Sequence, residues 1–267
     1  GVSSGVNVLV GLARMKAAAL VLGPAGVGVI GLLQNLMSTA AAAAALGFGS
    51  AGTRQVAEAV AGGLAEEIAV ARRALVWGTA VLAIIGGVTF FLLRDAMAAR
   101  VLDNPGMARK IGWIALGVAM SIAAGSQRAL LNGFRRIDDL ARLQIFSGLA
   151  SAIGGIVAIL LWGDGGIVAF VIMAPLASFL LGHWYVGRLE QADVGQIPLG
   201  RLAGQWRLLV HLGSAFMVSA LVTSFGQLAV RSFVQHRLGA EALGQFQAAW
   251  AISMTYLGFV LSAMGTD

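Results

Sequence analysis

Eight apolar runs, each about the length of one lipid crossing, leave this chain little choice of fold. They occupy residues 2–22, 27–48, 74–93, 111–131, 143–162, 167–186, 208–230 and 242–264, and little chain remains between them. Lipid offers no partner to a free backbone N–H or C=O, so a spanning segment must be a helix or a strand of a closed barrel. These runs are too long for barrel strands and lack their alternation, which selects an all-α, polytopic integral membrane fold. The composition agrees. Over 267 residues the chain is 58% hydrophobic and 11% charged with a mean hydropathy of +0.86, far from an ordinary soluble domain.

The charges that remain are mostly arginines between the runs. Alternate connections put Arg54, Arg72, Arg73, Arg128, Arg135, Arg136, Arg142, Arg188, Arg201 and Arg207 on one side, against Arg94, Arg100, Arg109, Lys110, Arg231 and Arg237 on the other. That bias predicts a cytoplasmic N-terminus. The net charge of +6 is explained by loop arginines facing anionic membrane lipids and calls for no nucleic acid. There is no cysteine, which excludes thiol chemistry and Cys metal sites and is silent on redox compartment. No secretory cleavage signal opens the chain. A start at Gly1 rather than Met, and an end at Asp267 directly after an apolar run, predict a fragment at both ends.

Between the second and third runs, Val56, Val60, Leu64 and Ile68 recur every four residues while Arg54, Glu58, Glu66 and Glu67 take other faces. This predicts an amphipathic helix over about 54–72 on the cytoplasmic surface, which Gly62 and Gly63 can bend. GDGG at 163–166 is a tight turn joining the fifth and sixth runs. A polar link from Arg188 to Arg207, containing Pro198, separates the sixth and seventh. It is the best boundary between an N-terminal six-helix lobe, 1–206, and the first two helices of a second lobe, 207–267. An offset of 216 residues supports that division: it lays LGPAGVG (22–28) on LGAEALG (238–244), Thr39 on Thr255 and Gly49 on Gly265. Copies separated by an even number of spans share orientation, which implies parallel halves with a site between them.

The succession GLARMKAAALVLGPAGVGVIGLLQNLMS, GSAGTRQVAEAV, RALLNGFRRIDDLARL and LSAMGTD resembles the Wzx-type polysaccharide flippases, the O-antigen translocases of the multidrug/oligosaccharidyl-lipid/polysaccharide exporter superfamily. The resemblance covers the whole chain and is strongest over 9–60 and 128–145. It implies a bacterial inner-membrane transporter, not an enzyme, of about a dozen helices in two lobes around a cavity. Such a protein moves polyprenyl-pyrophosphate-linked oligosaccharide from the cytoplasmic to the periplasmic leaflet by alternating access, in a setting that includes polysaccharide polymerase machinery. The lipid II flippases of the same superfamily carry a basic residue in the first span before a Gly-containing turn, and Arg14 is the matching position. Arg54 also matches the family's pattern. On this reading the second lobe is cut off after two helices.

Arg14 and Lys16 sit eight and six residues before Leu22, hence roughly 9 to 12 Å inside the first span. A central charge costs about 2.5 to 3.5 kcal/mol on insertion scales and usually faces a cavity or a partner. No acidic residue lies in any apolar run to pair with them, so a pyrophosphate suits them, Arg14 by its fork and Lys16 as a point charge. The alternative is an interfacial anchor. Gln34, Asn35, Ser38 and Thr39 place polar groups in the second span, either for sugar hydroxyls or for bonds to neighbouring helices. Gln227 and Arg231 repeat the theme on the seventh, where Arg231 can equally lie at the surface. Arg54 can meet an entering headgroup or simply set topology. Gln127, Arg128, Asn132, Arg135 and Arg136, with Asp138 and Asp139 as ion-pair partners, suggest a structural loop.

No catalytic motif, phosphate-binding loop or intramembrane carboxylate pair is present, and His183, His211 and His236 are too scattered for a metal. The sequence implies no cofactor and no ATP-driven pumping by this chain alone. Three rivals remain: a cation-coupled multidrug exporter of the same fold, which would favour intramembrane carboxylates; a glycan polymerase or ligase, which would carry a large periplasmic loop; and a non-transporting scaffold, which would leave Arg14 replaceable by Leu without effect.

Overall fold

The computed structural model describes residues 2–100, 105–189 and 198–264, and every regular element there is helical. The first, α1 (Val2–Ala44), would be roughly 65 Å long if straight, about twice the hydrocarbon thickness. It is not straight. Gly23 (φ 67°, ψ −177°) leaves helical geometry in a region open mainly to glycine, and Pro24 follows where a helix can restart without its N–H. Gly11 and Gln34, on opposite sides of Gly23, line one cavity, so α1 is a hairpin of two spans.

Next come α2 (Phe48–Gly62), α3 (Ala65–Leu92) and the short α4 (Arg94–Arg100). The amphipathic helix expected over 54–72 is divided: α2 ends at Gly62, Gly63 takes φ 70°, and Ile68 lies in α3, already part of the third spanning helix. The physical reason is the Gly62–Gly63 pair, which takes the left-handed cap at almost no steric cost. Val56 is fully buried against the bundle, whereas Leu64, expected on the same face, is 58% exposed in the break.

Two long helices follow, α5 (Ala108–Gly133) and α6 (Ile137–Trp162), then α7 (Ile167–Gly187) after a 3₁₀ turn over Gly163–Gly166. The GDGG turn is therefore where the sequence put it. A Cβ on Gly166 would strike the Ala158 carbonyl, so the reversal needs glycine there. The loop expected around Asp138 and Asp139 is instead the first turn of α6, where carboxylates complement the helix dipole; neither forms an ion pair with Arg135 or Arg136.

The last element, α8 (Leu199–Met264), bends at Gly239 (φ 85°, ψ 177°), nearly the conformation of Gly23. Arg231 and Gln247, sixteen residues apart, are hydrogen-bonded across that bend, so α8 too is a hairpin. Part of the expected link from Arg188 to Arg207 lies outside the described residues, but from Leu199 onward it is packed helix: Leu202 is buried against Val70 and Ala74, and Trp206 Nε1 donates to the Ala74 carbonyl at 2.8 Å.

The two hairpins pack against each other through small residues, with Gly28 facing Ala240 and Gly244, and Gly47, in the turn between α1 and α2, lies against Gly213 of α8. Ile30, Leu33, Ile111, Ile114 and Phe170 fill the core, while Leu20, Ile84, Leu161 and Val222 point outward with more than 60% of their surface exposed. In water such a surface would aggregate, whereas lipid suits it, and among the described residues five continuous helical stretches are long and apolar enough to cross a membrane.

Candidate functional site

Arg14 lies on the first arm of α1, nine residues before Gly23, and faces inward. Its guanidinium carbon sits 4.1 Å from the centroid of the Phe170 ring on α7, and Nη2 donates to the Phe170 carbonyl. Nε is buried without a hydrogen-bond partner. A cavity of about 420 Å³ opens beside it, lined among others by Asn7, Gly11, Gln34, Phe170 and Gln247. The hairpin at Gly23 is what brings Gln34 over to Arg14.

A second cluster joins the two hairpins. Arg231, 6% exposed, donates from Nε to Gln247 Oε1 at 2.9 Å and from Nη1 to Gln227 Oε1 at 3.2 Å. Asn35 Nδ2 reaches the same Gln227 oxygen at 3.4 Å, and Thr39 Oγ1 donates to the Ser224 carbonyl at 3.5 Å. Arg231 is thus buried between helix arms rather than lying at the surface. Its charge is spread over two amide oxygens and no carboxylate.

Of the residues singled out from sequence, Arg14 and Gln34 share the cavity, while Asn35, Gln227 and Arg231 share the network. Lys16 is exposed and does not line the cavity, as expected for positions two apart on a helix. Ser38 is exposed and bonds back to the Asn35 carbonyl at 2.9 Å. Arg54 lies on the outer face of α2 with Nε 2.8 Å from Glu58 Oε1; that hydrogen bond, with the carboxylate's charge, raises the Arg54 pKa above its ordinary value.

Gln247 was not anticipated. It belongs to both groups, lining the Arg14 cavity and accepting from Arg231. A lone amide within LGQFQAAW is weak evidence in sequence. Its signal was positional: at the 216-residue offset Gln247 falls on Gly31, and a Cβ on Gly31 would collide with the Gln247 side chain. Chemically, the assembly offers one guanidinium with an unused N–H, two amides in the same lining and no acidic residue among the described residues along the cavity wall. It can receive an anion and the hydroxyls beside it.

Among solved structures, the chain is similar to an inward-facing multidrug resistance MATE family transporter of the MOP superfamily, with a TM-score of 0.76 and 19% identity. The match covers 95% of this chain and 59% of that transporter, and at this identity it shows the fold alone. No curated protein matches the chain. The family model described as "Polysaccharide biosynthesis protein" matches residues 2–266, and so this multi-pass membrane chain belongs to the polysaccharide biosynthesis protein family.

Proposed function

We propose that the chain forms part of a flippase that carries polyprenyl-pyrophosphate-linked oligosaccharide from the cytoplasmic to the periplasmic leaflet of the bacterial inner membrane, with its N-terminus in the cytoplasm. The observation that carries this reading is the Arg14 cavity: an inward-facing guanidinium whose Nε–H is buried and unused, amides of Gln34 and Gln247 in the same lining, and no carboxylate among the described residues that line it. Arg14 receives the pyrophosphate and the amides receive sugar hydroxyls. The prenyl tail stays in lipid.

Residues 1–206 form one lobe and 207–267 open a second, and the lobes rock about the Gly28–Gly244 contact to alternate access. The matching bends at Gly23 and Gly239 support that division. Polysaccharide polymerase machinery is the expected downstream partner.

The test uses the protein in sealed vesicles, following transbilayer movement of a prenyl-pyrophosphate-linked oligosaccharide. Arg14→Ala abolishes movement at unchanged expression, and Arg14→Lys retains part of it, keeping the charge but losing the fork. If Arg14→Ala transports as well as the parent, the reading fails. A drug-exporter reading draws on the MATE fold neighbour. It expects export of cationic dyes, which a cavity without carboxylates does not favour.

A further inference from the structure

A groove of about 900 Å³ runs along the outer surface between α3 and α5 and shares no lining residue with the Arg14 cavity. Its floor is made of small residues, Ala83 and Gly87 on α3 and Ala115 and Ala119 on α5. A Cβ on Gly87 would already lie 3.3 Å from the Ala119 methyl, so the two helices meet at the floor and the space lies outside it. Ile84 and Val88 on one wall, and Trp113 and Leu116 on the other, are exposed.

The groove is apolar along its length and charged at one end. From Arg109 to Ala119 it follows α5 for roughly 15 Å, about half the hydrocarbon thickness of a bilayer. Arg94 and Asp95 of α4 close the same end as Arg109, at the opposite end of α3 from Arg72 and Arg73. The groove is therefore one leaflet deep, with its charges at headgroup height. Arg94 is partly engaged: its guanidinium carbon lies 4.2 Å from the Phe91 ring centroid and its Nε 3.8 Å from Asp95 Oδ2, an ion pair too long for a hydrogen bond. Arg109 is exposed and makes no hydrogen bond, ion pair or ring contact among the described residues. Two guanidiniums, Arg94 and Arg109, against the one carboxylate of Asp95 leave the described lining one charge positive.

We infer that this groove holds a resident anionic phospholipid, with one acyl chain along the floor and the phosphodiester at Arg109, beside Arg94. A phosphodiester carries one negative charge and balances the lining, whereas a pyrophosphate exceeds it. An acyl chain matches a groove one leaflet deep, whereas a polyprenyl tail overruns it. Trp113, 64% exposed on the wall, brings an indole N–H to the interface, where a glycerol ester carbonyl accepts it. A choline headgroup carries its own cation to an end that is already positive, so phosphatidylglycerol is preferred over phosphatidylcholine. The site is independent of the cargo proposed above, because it uses none of the same residues.

The experiment is native mass spectrometry of the delipidated full chain in non-ionic detergent, titrated with phosphatidylglycerol or phosphatidylcholine and then challenged with dihexanoyl phosphatidylglycerol, inorganic phosphate or a prenyl pyrophosphate. The tightest-held adduct is phosphatidylglycerol, phosphatidylcholine is stripped, and none of the three challengers displaces the bound lipid. Arg109→Gln weakens phosphatidylglycerol binding about fivefold, and Arg94→Gln with Arg109→Gln about thirtyfold. Ala119→Leu, which adds bulk to the floor without changing charge, weakens it about three- to tenfold. Arg237→Gln removes an exposed cation of α8 outside the groove and leaves binding unchanged. Equal retention of both phospholipids overturns the proposal. So does displacement by phosphate, which marks a simple anion site, by the short-chain lipid, which marks a headgroup contact without an acyl groove, or by prenyl pyrophosphate, which marks a cargo site. Should the double arginine variant fail to fold, the parent's lipid selectivity and the Arg109→Gln titration still decide.

Discussion

Gly28 and Gly244 meet backbone to backbone: a Cβ on Gly28 would lie 2.8 Å from the Ala240 carbonyl oxygen and 2.9 Å from the Gly244 nitrogen, and one on Gly244 would run into the Pro24 carbonyl. At the 216-residue offset Pro24 falls on Ala240 and Gly28 on Gly244, so each partner makes the other's contact. That reciprocity is what a local two-fold axis requires. Neither position has room for a side chain. Gly28→Ala or Gly244→Ala should cost about 1 to 3 kcal/mol by overpacking, read as a lower unfolding temperature in detergent. An unchanged temperature would mean the hairpins do not pack this closely.

Arg231 and Gln247 depend on one another through a buried, charge-assisted hydrogen bond. Removing Arg231 leaves Gln247 Oε1 without its donor, and removing Gln247 leaves Arg231 Nε unpaired beside its remaining bond to Gln227, a loss of about 1 to 3 kcal/mol. Arg231→Met and Gln247→Leu together should cost less than the sum of the two. A double-mutant cycle on stability checks this, and strict additivity would refute the link.

Phe170 holds Arg14 in two ways, by its ring and by its carbonyl. Phe170→Leu removes only the ring. Stability should fall by about 1 to 2 kcal/mol, while affinity for a prenyl pyrophosphate rises, because the guanidinium loses a competing partner. Titration calorimetry on the variant distinguishes this from a purely structural role, for which affinity would fall or stay level.

Arg54 pairs with Glu58 on an exposed face of α2. Exposed pairs of this kind contribute little to stability. Arg54→Ala should leave both the unfolding temperature and vesicle transport at parental levels. A strong transport defect in that variant would assign Arg54 to cargo entry.

Much of this architecture can be read from residue patterns because lipid makes the rules strict. The run lengths, the GDGG reversal and the Leu-Gly turns at 22–23 and 238–239 each place a span or its end. The limits of α2 and α3 were less legible, since the four-residue periodicity of Val56, Val60, Leu64 and Ile68 runs straight through a glycine pair that ends the helix. At the site, Arg14 stood out through the cost of a buried charge. Its neighbours Phe170 and Gln247 did not, because a phenylalanine or a lone amide in a span looks the same whether it faces lipid, a helix or a cation. Lys16 was grouped with Arg14 by nearness in sequence, and the helix turns the two apart.

The seat of Arg14 on Phe170 bears on how firmly anything can be held there. On the proposed reading, an arriving anion does not meet a bare guanidinium; it meets one already held by an aromatic face, and it gains only the difference between the two environments. Capture and release would then both leave the cation on the ring, which keeps part of its stabilisation in either state. If the proposed cargo binds there, this arrangement gives up tightness at the loading step and gains turnover at the unloading step.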